Sequence, residues 1–147
     1  MVEHKEIILI LCYYNKEETT LIVKEGLQKL EGSKDMIKVC WEQDEAVALF
    51  DVYFKNYGSV NVSEEILNNL RDMYIKRIKD KGVTVDEKFR NLSGLRMQLG
   101  CIHYVVTGGK EGMSNASKLF YDTYELYKNN PDTFQQILDC FYNRYSY

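Results

Sequence analysis

Ser63-Glu64-Glu65-Ile66-Leu67-Asn68-Asn69-Leu70-Arg71-Asp72-Met73-Tyr74-Ile75-Lys76-Arg77-Ile78-Lys79-Asp80-Lys81-Gly82 is the stretch whose reading decides the fold class. Ser63 offers a side-chain acceptor to the first free N–H groups of a helix, and Glu64 and Glu65 sit where its dipole favours negative charge. Behind them Ile66, Leu67, Leu70, Met73, Tyr74 and Ile78 trace one stripe at helical spacing, which Lys81-Gly82 brings to a stop. The opposite face carries Arg71, Lys76, Arg77 and Lys79. A helix with one apolar stripe needs other elements to cover it, and the flanking sequence supplies more helices.

Upstream, Trp41 to Phe54 opens with acids and continues through Val47, Leu49, Phe50, Val52, Tyr53 and Phe54, which wrap most of a helical cylinder. It reads as a central, heavily buried helix. Residues 1–40 read as an N-terminal helical hairpin: Ile7 to Tyr14 is a short helix or strand, and Asn15 caps a second helix ending at Gly32-Ser33. Downstream, after an extended stretch over 83–88, Leu92, Leu95, Leu99, Ile102 and Val106 fall on one helical face. The glycines of Gly108-Gly109-Lys110-Glu111-Gly112 enforce a loop, Ser114 or Asn115 caps a helix from Lys118 to Lys128, and Pro131-Asp132 starts the last helix. The expected fold is therefore all-α, a compact helical bundle with a helix-turn-helix-like element over 63–106 and at most a short β element near 7–12 or 83–88. Residues 41–147 form its main unit.

A chain of 147 residues with 45% hydrophobic content is long enough to bury its own core. No apolar run approaches the roughly 18 to 20 residues that span a bilayer, the longest being Ile7 to Tyr14, so a cytoplasmic protein without a membrane contact is expected. Cys12, Cys40, Cys101 and Cys140 are far apart, lack zinc spacing, and read as reduced packing residues. With only His4 and His103, and carboxylates explained by helix first turns, neither a catalytic constellation nor a bound cofactor or metal is expected. Gly108 to Gly112 lacks the spacing of a nucleotide-phosphate loop.

The net charge of −3 is distributed unevenly. Residues 1–70 carry 7 Lys and Arg against 13 Asp and Glu, residues 71–118 carry 10 against 5, and residues 119–147 carry 2 against 4. Positive charge thus concentrates in the middle third, on a helix pair of the kind that meets DNA phosphates and base edges.

Three segments together resemble the N-terminal domain preceding the nuclease in bacterial HNH restriction-type endonucleases: Trp41-x-x-x-Glu45 running into Leu49-Phe50-Asp51-Val52-Tyr53, then Phe89-Arg90-Asn91-Leu92-Ser93-Gly94-Leu95-Arg96-Met97-Gln98-Leu99, then Gly109-x-x-Gly112-Met113-Ser114-Asn115-Ala116-Ser117-Lys118-Leu119. The resemblance covers roughly residues 41–128. Gln98 stands where that family usually has Lys, and Cys101-Ile102 and Val105-Val106-Thr107 replace its Asn-Phe and Leu-Asp-Pro elements. The resemblance implies a non-catalytic, restriction- or defence-associated DNA-recognition module, because no His-Asn-His nuclease constellation occurs here.

On this reading double-stranded DNA is the partner. The candidate contact residues are Arg77 and Lys79 on one helix, then Arg90, Asn91, Ser93, Arg96 and Gln98 at and along the next. Lys110, Ser114, Asn115, Ser117 and Lys118 complete the set from the loop. The alternative is a protein-interaction or inhibitor module, or a homodimer, whose acidic residues within 1–70 bind a basic surface on a nucleic-acid enzyme. A contiguous basic patch from 71–118 on the folded surface would favour DNA, and an acidic face with the basic residues scattered would favour a protein partner.

Overall fold

The computed structural model describes residues 39–146. Five α-helices follow one another: α1 Gln43–Lys55, α2 Glu64–Asp80, α3 Leu92–Val106, α4 Lys118–Asn129 and α5 Pro131–Tyr145. The hairpin expected over residues 1–40 falls almost wholly outside the described residues, as does the alternative β element at 7–12. The β element expected near 83–88 is absent, for residues 83–86 are irregular, with the Val83 N–H turned back to the Ile78 carbonyl, and 87–90 form a turn. Arg71 helps to explain this: from α2 it donates to the carbonyls of Glu87, at 2.7 Å, and Phe89, at 3.1 Å. Carbonyls that a strand ladder would have engaged are claimed by a guanidinium instead.

Three of the helices begin on a side-chain cap. Ser63 accepts from the Ile66 N–H and Asn91 from the Gly94 N–H, while Asn130 accepts from the Thr133 N–H with Pro131 at the first helical position. Ser117, not Ser114 or Asn115, is the residue at the N-cap of α4.

Helix α1 packs against all four others, and every side chain from Glu45 to Tyr53 is buried. An unbroken buried run is possible only for a helix enclosed on all sides. Phe50 meets Phe120 edge to face and stacks on Tyr124, while Leu95, Leu99 and Ile102 fill the space from α3. The buried row of α3 ends on Val105 rather than Val106, and Cys101 is buried with it. From α5, Tyr142 donates its hydroxyl to Asp51 at 2.6 Å; burial, then the Asp51 carboxylate, push the Tyr142 phenol above its usual range. Phe50 is fully enclosed, so Phe50→Ala is expected to lower the free energy of unfolding by about 3–5 kcal/mol, read from denaturant midpoints.

Candidate functional site

The residues expected to meet DNA divide into two groups. The first is turned inward. Arg77 is 3% exposed and contacts three carboxylates: Glu42 at 2.6 Å, Asp44 at 2.7 Å and Glu45 at 3.5 Å. Lys81, one turn further along, reaches Glu42 at 2.8 Å, and Tyr74, one turn back, donates to the Glu45 carbonyl at 2.6 Å. This stripe of α2 is therefore spent on the N-terminal end of α1, and Arg77 is corrected from a surface contact to a core residue.

Arg90 belongs to the same cluster. Its Nε donates to Glu45 Oε2 at 2.9 Å and its Nη2 to Oε1 at 3.2 Å, while the carbonyls of Val39 and Cys40 take its remaining bonds. The guanidinium lies 4.1 Å from the centre of the Trp41 ring and 4.8 Å from that of Phe89. Arg90 also holds φ at +45°, a left-handed conformation that side chains resist, and this dense set of contacts holds it there. It too is corrected from a DNA contact to the clasp that ties residues 39–41 and the α2–α3 connection to α1.

The second group lies outside. Ser93, Arg96, Lys110, Ser114, Asn115, Ser117, Lys118 and Lys79 are exposed. Arg96 donates one guanidinium nitrogen to the Val62 carbonyl at 3.0 Å, and Lys118 pairs with Asp122 at 2.6 Å. Asn91 serves as the α3 cap. Gln98 stands about 200° around the helix from Arg96, flanked by the buried Leu95, Cys101, Ile102 and Val105, so one approaching surface cannot meet both.

Sequence spacing did not reveal what covers the outside of α3. Met97, Gly100 and Tyr104 lie at i, i+3 and i+7, one stripe opposite the core. The loop 107–117 doubles back over it. The Met113 N–H donates to the Gly100 carbonyl at 3.0 Å, and the Met113 side chain rests in the notch that Gly100 leaves, with Cγ and Sδ 3.0 and 3.1 Å from where a Cβ would stand. Gly112 makes this approach possible: its φ is +96°, and a Cβ there would lie 2.5 Å from the Gly100 carbonyl oxygen. Met97 and Met113 remain 48% and 42% exposed, so two flexible thioethers of this face meet solvent.

At one end of this face His103 joins three elements. Its Nδ1 is 2.8 Å from the Tyr53 hydroxyl on α1, and its Nε2 is 2.8 Å from Glu111 in the loop. A carboxylate only accepts, so Nε2 carries a proton, and in the neutral ring Nδ1 accepts from the Tyr53 hydroxyl. Burial, then Tyr124 and Glu111, push the Tyr53 phenol above its usual range.

Among the described residues no group of three or more His, Cys, Asp or Glu is placed to hold a metal, and no helix is long and apolar enough to cross a membrane. Cys40 is exposed, Cys101 buried and Cys140 half-buried, all as free thiols. Comparisons with protein-family models, with curated proteins and with solved structures find no match to this chain.

The ion cluster sets an acid limit on the fold. Partial burial alone would raise the Glu42 carboxyl, but Arg77 and Lys81 more than offset it and hold the group below its ordinary value of 4.5. A depressed folded value means that the stabilisation is present above about pH 4.5 and is lost as pH falls through the folded value. Glu42→Gln should therefore lower the denaturation midpoint at about pH 7, and its gap from the parent protein should narrow below about pH 4.5. A gap constant with pH would remove Glu42 from the acid limb.

Proposed function

We propose that this chain is a non-catalytic module that binds another protein through the outer face of α3 and the loop seated on it. The observation that carries this reading is the pair of exposed methionines, Met97 and Met113, flanking the Gly100 notch beside Tyr104. Unbranched thioethers repack against many apolar shapes, and Met, Tyr and Arg are the side chains that protein interfaces favour. Arg96 adds a polar anchor, since only one of its guanidinium nitrogens is used on the Val62 carbonyl. The matching partner offers an apolar side chain to the methionines and a carboxylate to Arg96.

Charge supports the same choice. Arg77, Lys81 and Arg90 are paired with Glu42, Asp44 and Glu45, so these three bases are not free to meet phosphates. The basic side chains left along α3 and its loop are Arg96, Lys110 and Lys118, with Glu111 and Asp122 among them. Duplex DNA is the second reading, favoured by the exposed hydroxyl and amide groups of Ser93, Ser114, Asn115 and Ser117 on the same helix and loop. A place in a restriction or defence system rests on the sequence resemblance.

One pair of measurements separates them. A photoreactive phenylalanine analogue at Met97 should cross-link a protein in cells, a site on α5 such as Asp139 should not, and Arg96→Ala should abolish the product. If the 97 position yields no more than the 139 position, while a random duplex of about 20 base pairs binds with steep salt dependence and loses affinity in Arg96→Ala, the protein reading is overturned in favour of DNA. A cross-linked product with the mass of two copies would make the partner a second copy of this chain.

A further inference from the structure

The side chains at the α1–α3–loop junction do more than fill space. Tyr53 is enclosed beneath the face, His103 bridges outward from it, and Glu111 closes the chain from the loop at 2.8 Å. Around the same residues the loop is tied by Thr107, whose hydroxyl donates to the His103 carbonyl at 2.8 Å and accepts from the Glu111 N–H at 3.1 Å. Glu111 is followed at once by Gly112 and Met113, the two residues that seat on Gly100. Gly108 and Gly109, with φ of +66° and +84°, close the other end of the segment against α3, their N–H groups donating to the carbonyls of Val105 at 3.2 Å and Tyr104 at 2.9 Å.

We propose that Tyr53, His103 and Glu111 form a latch that sets the position of the 107–117 loop, so that Met113 is held ready on the binding face before any partner arrives. His103 is thereby a positioning residue, and this assignment rests on the protein-binding reading only for the purpose the latch serves. The mechanism is preorganisation: a loop already fixed loses less freedom when a partner docks. The order of the chain matters, since the buried phenol orients the imidazole, and the imidazole then presents a fixed N–H to a carboxylate on an otherwise mobile class of segment.

The test reads the loop directly and needs no partner. In Glu111→Ala and His103→Ala, amide exchange of residues 108–113 should speed up roughly tenfold while core amides of α1 stay unchanged. Met113 should be oxidised to the sulfoxide by hydrogen peroxide at a rate altered from the parent protein, with the buried-side Met73 as internal reference. Gly112→Ala, which meets the Gly100 carbonyl, provides the unseated comparison. Glu111→Gln, which keeps an acceptor for Nε2, should restore slow exchange where Glu111→Ala does not. Exchange and oxidation unchanged in both alanine variants, with Gly112→Ala alone freeing the loop, would overturn the latch and leave backbone packing as the whole explanation. Failure of the cross-linking experiment would leave these readouts as they stand, so the two readings fail separately.

Discussion

Glu45 is buried at the first turn of α1, and two arginines far along the chain turn inward to meet it. A lone carboxylate in that place would cost several kcal/mol in lost hydration. Arg77 and Arg90 approach it at 3.5 and 2.9 Å, Glu42 donates its backbone N–H at 3.3 Å, and no buried side-chain polar atom among the described residues is left without a partner. The rest of the fold follows from this demand. Arg90 reaches Glu45 from a left-handed turn that leads into the Asn91 cap of α3, and it stacks on Trp41, which packs edge-on against Tyr74 and Phe120. An ion network of this kind gains less in net stability than its contact list suggests, because desolvation cancels much of the attraction. Its stronger effect is on specificity, since alternative packings leave a charge unpaired.

The same network changes what charge says about function. Three acids from the acidic first half and three bases from the basic middle meet inside the protein, so much of the charge asymmetry along the chain is internal pairing between its halves. Arg71 and Arg96 are likewise engaged with backbone carbonyls. What remains available on the outer side of α3 is polarisable and weakly charged, and that composition suits a protein surface better than a phosphate backbone.

Two glycines make that surface. Gly100 leaves a notch on α3 and Gly112 allows the loop to come down on it; a side chain at Gly112 would meet backbone and displace the loop, whereas one at Gly100 would press on the Met113 side chain. The hydrogen-bonded chain through His103 then joins the loop to the central helix. Core and face are thus mechanically continuous, which is how a surface patch acquires a fixed shape.

Helix identity was legible in the sequence, because capping residues and the 3.6-residue period are local properties: Ser63 and Pro131 mark starts that the structure reproduces, and the buried run of α1 follows from apolar residues around its whole circumference. The exposed positions of Ser93, Arg96 and the 110–118 loop were also readable, as residues off the apolar stripe. Only the tertiary structure decided that Arg77 and Arg90 turn inward, that Gln98 faces away from Arg96 while flanked by buried residues, and that Met97, Met113 and Tyr104 assemble around Gly100. The reason is physical. Helical periodicity fixes where a side chain points relative to its own axis, but whether a charge is free depends on opposite charges tens of residues away. That pairing is settled by the desolvation of groups brought together when the helices pack.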